Sequence, residues 1–216
     1  MITFNKSDMS QLRASQSGNN AFKTSKEAYD QVTIAYDIVD AMGSDIYEAW
    51  RLGIYDDDEI ASYDGIEYLC EELNLTEEEL IEGIVCTIMG EDEYFAATDE
   101  EKESYRENAD MFFIYMEDDL FSACVMATSN AYVANGKVSE AQSALDASKE
   151  LMKTLSEKHS DYEHYPNLKG YYTTTSSFFE FCCDPEGSFE QVKDTINSYR
   201  NEARDYVSDL DYIFEE

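Results

Sequence analysis

Positive charge is what this sequence has least of. Its 216 residues include 15 Lys and Arg against 48 Asp and Glu, a formal net charge of −33. A surface of that sign repels phosphate, which argues against direct binding to nucleic acid or to an anionic membrane. Proline is nearly absent, with two residues in the chain, so little interrupts a helix. There is no run of about 18 apolar residues and therefore no helical membrane span. The first twenty residues lack the apolar core of a secretory signal. The five cysteines (Cys70, Cys86, Cys124, Cys182 and Cys183) are odd in number and form no C-x-x-C pair. They read as reduced cysteines, most of them in the core, of a cytoplasmic protein.

Signatures of chemistry are also missing. The sequence has no G-x-S-x-G elbow, no phosphate loop and no H-E-x-x-H, so no catalytic residue is nominated and no enzyme is expected. The two histidines, His159 and His164, stand five residues apart around Asp161 and Glu163. That spacing does not align two imidazoles on one helix face, and a solvated loop is the better reading than a metal site. Asp56–Glu59 followed by Asp64-Gly65 invites comparison with a calcium loop. With Gly65 in the sixth position the first is Ile60, where an acid is required, and the match fails. No metal and no cofactor are expected.

What the chain does have is a concentrated acidic segment. Between Glu27 and Glu101 there are 24 Asp and Glu against a single base, Arg51. Residues 1–26 hold four bases and one acid, and residues 102–216 hold 23 acids and ten bases. Such a segment would be disordered if it lacked apolar residues. Here Ala28, Val32, Ala35, Tyr36, Val39 and Met42 recur at helical spacing, and Ile46, Ala49, Trp50 and Gly53 continue the stripe. Gly43-Ser44-Asp45 either bends this helix or breaks it, with Ser44 as the N-cap of a second one.

Other elements follow in order. Asp56–Glu59 opens a helix carrying Ile60, Ile66, Leu69 and Leu73 and closed by Asn74-Leu75. Thr76 with Glu79 makes a capping box for a helix that ends at Met89-Gly90. Thr98 with Glu101 makes a second box and starts the longest helix, down to Asn135-Gly136. Ser139 with Gln142 opens the next, His159 to Pro166 is a connection, and a helix covers Leu168 to Cys182. Asp184-Pro185-Glu186-Gly187 turns the chain, and Ser188 with Gln191 opens the last helix. The expected fold is all-α. Residues 1–24 form a mobile polar arm with Phe4 or Phe22 docked. Residues 25–97 form an acidic region of three or four shorter helices, and residues 98–216 a C-terminal up-and-down antiparallel four-helix bundle.

Many of the 17 tyrosines stand beside acids, as in Tyr55-Asp56 and Tyr63-Asp64. Tyrosine supplies apolar area and a phenol that meets arginine at binding surfaces. In this general character (small, very acidic, tyrosine-rich, without catalytic motifs) the chain resembles phage-encoded DNA mimics that block restriction or CRISPR enzymes. The resemblance is one of composition, and no functional residue is carried over from it. It implies a non-enzymatic inhibitor whose partner is a basic protein, a nucleic-acid-binding protein or nuclease complex. The residues expected to meet that partner are Asp56, Asp57, Asp58, Glu59, Asp64, Glu67, Glu71, Glu72, Glu77, Glu78 and Glu79, with Tyr55 and Tyr63. An acidic antitoxin, immunity protein or chaperone for a basic protein would share this composition. So would a helical assembly component whose charge serves solubility.

Overall fold

The computed structural model describes the backbone of residues 6–214 and the side chains of residues 18–214. Helix α1 spans Lys6–Tyr55, α2 Asp57–Ile60, α3 Gly65–Glu72, α4 Glu77–Met89, α5 Glu91–Ala96 and α6 Asp99–Arg106. Helix α7 spans Phe112–Tyr115, α8 Leu120–Ala134, α9 Lys137–Lys158, α10 Tyr165–Cys183 and α11 Phe189–Phe214. Short 3₁₀ turns occupy Ala109–Met111 and Glu117–Asp119. No strand occurs among the described residues, and the protein is all-α.

Helix α1 organises the rest. Its 50 residues, at 1.5 Å each, make a rod about 75 Å long if straight. It does not break at Gly43-Ser44-Asp45, because each of the three residues serves a contact with another element. A Cβ on Gly43 would lie 2.8 Å from the ring of Phe178, so glycine lets α10 approach. Ser44 accepts a short bond from Arg200 of α11 and donates to the Asp40 carbonyl of α1 at 2.9 Å, instead of capping a new helix. The Asp45 side chain is bonded to residues of two other segments. The helix also begins well before Ser25: Ala21 is buried and the Phe22 ring lies 5.6 Å from that of Phe214. Tertiary packing thus extends the helix into a polar sequence with no periodicity of its own. Phe4 lies outside the described residues.

Residues met along α1 show how its neighbours run. Gly53 abuts the backbone of Phe121, Asp45 bonds Tyr132, and Ala41 and Asp37 share a small cavity with Asn135 and Lys137. Farther back, Ala28 and Ala21 share a cluster with Met152 and Leu155. Helices α8 and α9 therefore lie end to end along α1, both antiparallel to it. Helix α10 runs parallel to α1, with Tyr171 beside Tyr29 and Tyr36 and Phe178 beside Gly43. Helix α11 runs back again, with Phe189 stacked on Tyr47 at 5.1 Å and Phe214 against Tyr29 at 5.2 Å. The bundle expected of residues 98–216 is thus not self-contained: α1 packs on α8, α9, α10 and α11. The largest apolar cluster draws on both halves of the chain, from Ala35 and Leu80 to Phe178 and Ile196.

Four boundaries differ from expectation. The long helix from Thr98 to Ala134 is broken between α6 and α8. Phe112 and Phe113, both buried, lie in the short α7 between two 3₁₀ turns. Asn108 supports the break by donating to the Ser104 carbonyl at 2.7 Å. The box at Ser139 does not form. Helix α9 starts earlier, at Lys137, whose N–H is taken by the Asn135 side chain at 3.1 Å. The helix expected from Asp56 to Leu73 is two, because Ser62 folds back onto the Glu59 carbonyl. Pro166, expected in a connection, instead lies in the first turn of α10, where its missing N–H costs no helical bond. The boxes at Thr76, Thr98 and Ser188 form as expected.

Candidate partner-binding surface

The acidic segment leaves α1 at Tyr55 and is tied down by apolar anchors. Ile60 of α2 and Leu69 of α3 are fully buried and Ile66 nearly so, with Gly65 set directly against the Ile60 carbonyl. Burying these few residues turns the carboxylates between them outward. Asp57, Asp58 and Glu59 occupy the exposed first turn of α2, where they complement the helix dipole. Asp64 is exposed in the turn between α2 and α3. On α3, Glu67, Glu71 and Glu72 are exposed. Glu67 and Glu71, at i and i+4, stand on one face about 6 Å apart.

Arg51 sits under this group. It donates to Glu48 through Nε at 2.7 Å and to Asp56 through Nη1 at 3.3 Å. Asp56 is therefore half-buried and internally paired, unlike its three successors. The Tyr68 phenol is pushed above its ordinary range by burial and by Asp56, Glu59 and Glu72 around it. Those three carboxylates, from α2, α3 and the residue between α1 and α2, share one neighbourhood.

Helix α4 continues the surface. Glu79 accepts the Thr76 N–H at 2.9 Å and Asn135 Nδ2 at 3.0 Å. The Thr76 amide and these further bonds hold its carboxyl below the usual range. Glu77 and Glu78 are free of such duties and exposed. Together with Ile81, Glu82, Asp99 and Arg106 they line an open trough of 640 Å³. Glu82 is the structural member of that set. It accepts the Tyr94 hydroxyl at 2.6 Å and a short bond from Arg106 Nε. Burial pushes its carboxyl up, and Arg106 and Tyr94 outweigh that and bring it down.

Of the thirteen residues nominated from sequence, eleven face solvent and two, Asp56 and Glu79, are half-buried and committed to internal bonds. Tyr55 and Tyr63 are 64% and 71% exposed, and Tyr55 rests its ring edge on Phe189. The structure gathers Asp56, Glu59 and Glu72 around Tyr68, and Glu77 and Glu78 around the trough. It does not collect all thirteen into one cleft. Sequence reasoning passed over Glu117, Asp118 and Asp119, exposed beside Tyr115, which is 78% exposed. There the acids begin two residues after the tyrosine, beyond Met116, rather than directly beside it as at Tyr55-Asp56 and Tyr63-Asp64.

Among the described residues, no three His, Cys, Asp or Glu side chains are arranged to hold a metal ion. No helix of the described chain is long and apolar enough to cross a membrane. Comparison of the chain with family models, with curated proteins and with solved structures returned no match.

Proposed function

We propose that this protein is a non-enzymatic binder whose acidic helices occupy the nucleic-acid-binding surface of a basic partner protein. The observation that supports this reading is the lack of internal compensation. The one base within Glu27–Glu101 is spent on Glu48 and Asp56, while Asp57, Asp58, Glu59, Glu67, Glu71, Glu77 and Glu78 stay exposed with no ion pair among the described residues. Maintaining such repulsion costs stability, and a basic partner relieves it. Duplex DNA presents a charge every ~1.7 Å of axis, and its binders meet it with grooves of Lys and Arg. Carboxylates on rigid short helices present a comparable array, and Tyr55 and Tyr63 add ring surface for arginine. The class that fits is an inhibitor of anti-restriction or anti-CRISPR type, phage-encoded and acting in the cytoplasm on a nuclease complex.

The test is capture of the partner from a host bacterial extract at low and high salt, followed by competition with duplex DNA. Release by both salt and DNA supports the mimic. Release by salt alone assigns the protein to the antitoxin or chaperone class. No captured basic protein at either salt leaves charge with a solubility role and overturns the proposal.

A further inference from the structure

Helix α8 is out of character with the chain around it. Its 15 residues include no Asp, Glu, Lys or Arg, although charged residues make up 29% of the sequence. A surface helix usually carries charged residues on its solvent side, and a helix with none is the kind found under cover. Two sides of α8 are covered: Gly53 of α1 abuts Phe121, and Gly83 of α4 abuts Ala127 and Ala131. The third is open. Phe121, Ser122, Val125, Met126, Ser129 and Asn130, at successive i, i+1 and i+4 positions, floor a groove of 430 Å³. Trp50 of α1 walls it on one side and Pro185 of the α10–α11 turn on the other. Phe121 and Met126 are 39% and 49% exposed, and the Ser129 hydroxyl is enclosed without a hydrogen-bond partner.

Charge indicates what covers the groove. No Lys or Arg lines it, whereas Asp184 does, with Glu186 exposed two residues on. The Cys183 thiol in the same wall is pushed up to about 11, first by burial and then by surrounding carboxylates, Asp184 among them. A floor whose apolar contacts come from Phe121, Val125 and Met126, beneath an acidic rim, repels fatty acids. It also repels a second copy of a chain with a formal charge of −33.

We propose that this groove seats the apolar face of a basic amphipathic helix from a partner protein, with Lys and Arg of that helix over Asp184 and Glu186. This is helix-in-groove recognition, in which apolar anchors at i and i+4 enter the groove and flanking charges set orientation. The site is separate from the carboxylates of α2 to α4 and does not depend on their role.

Trp50, the single tryptophan of the chain, reports on occupancy. The probe is a synthetic Leu/Lys peptide of about four helical turns with one apolar face. One control has the same composition scrambled to remove the face, and another replaces Lys by Glu. The expected result is saturable change in Trp50 emission with the amphipathic Leu/Lys peptide, about tenfold tighter than with the scrambled one. Met126→Glu on the exposed floor is expected to weaken it by about tenfold or more. Asp184→Lys with Glu186→Lys, both outside the core, is expected to weaken it by several-fold at low salt. Reversing the exposed Asp57, Asp58 and Glu59 leaves this affinity unchanged, which keeps the result independent of the mimic. Equal binding of both Leu/Lys peptides, tighter binding of the Leu/Glu peptide, or unaltered affinity in Met126→Glu with an unchanged melt overturns the proposal. So does concentration-dependent self-association abolished by Met126→Glu, which would give the groove to a second copy.

Discussion

The Asp45 carboxylate accepts the Tyr132 hydroxyl at 2.7 Å, 87 residues away in sequence and buried on both sides. Its other oxygen accepts the backbone N–H and side-chain Nδ2 of Asn74, at 3.1 and 2.8 Å. One carboxylate thereby joins α1, α8 and the connection between α3 and α4.

Removing one donor leaves a buried carboxylate underbonded. Tyr132→Phe is expected to lower unfolding free energy by roughly 1–3 kcal/mol, read by urea denaturation. Burial raises the Asp45 pKa against the pull of these donors. A raised carboxylate pKa means the folded state holds its proton longer than the unfolded one. Stability from this group is then present below the unfolded value of 3.8 and declines as pH rises through the folded value. The stability of the native protein relative to Asp45→Asn should fall over that window; a difference that rises with pH would contradict it.

Glu79 carries the opposite sign. Its carboxyl is lowered by the Thr76 amide, so its contribution is present above the unfolded value and lost as pH falls through the folded one. The advantage of the native protein over Glu79→Gln should shrink in acid. Thr76→Ala should cost about 1 kcal/mol at neutral pH.

Gly83 marks where α4 and α8 nearly touch. A Cβ there would lie 2.2 Å from the Ala127 carbonyl oxygen, so Gly83→Ala should destabilise by about 1–3 kcal/mol through forced backbone displacement. Gly136→Ala has open space around the new methyl and a φ of 82°. Its cost should be the left-handed strain alone, about 1–2 kcal/mol, with no effect on α4. Hydrogen exchange of α4 amides separates the two.

For the proposed partner surface, position should matter more than total charge. Single exposed ion pairs contribute only ~0.2–1 kcal/mol, so single substitutions should barely register. Reversal of Asp57, Asp58 and Glu59 together should weaken partner binding about tenfold by the same sum. Reversal of Glu157, Asp161 and Glu163 should not. Equal losses, measured by salt-dependent titration calorimetry, would remove the mimic.

How much of this was readable beforehand depends on the range of the interactions. The capping boxes at Thr76, Thr98 and Ser188 are closed within four residues, and spacing alone reveals them. The continuity of α1 through Gly43-Ser44-Asp45 depends on Phe178 and on Arg200, which bonds Asp40 and Ser44 from 160 and 156 residues away. No local pattern contains that. The break after Arg106 has no proline or glycine to announce it between Arg106 and Leu120. For the surface, exposure of Asp57 to Glu59 follows from the buried Ile60 next to them. The internal use of Asp56 and Glu79 needed the positions of Arg51 and Asn135. The open side of α8 could not be seen at all, because an uncharged helix in sequence reads as a covered one.

The 50-residue first helix also imposes an order on how the molecule is made. Synthesis delivers it first, yet its main partners lie beyond residue 120, and contacts such as Tyr29 with Asp211 and Asp40 with Arg200 span 182 and 160 residues. The apolar stripe of α1 therefore emerges from the ribosome long before anything exists to cover it. At about 5–20 residues per second, that wait lasts several seconds or more. The surrounding carboxylates repel those of neighbouring nascent chains during this interval, so the charge proposed to meet a partner in the finished protein would also protect the unfinished one from its own kind. A fragment of residues 25–101 is arrested at that stage and should show no cooperative melt; a sharp calorimetric transition from it would mean that α1 finds sufficient cover without the C-terminal helices.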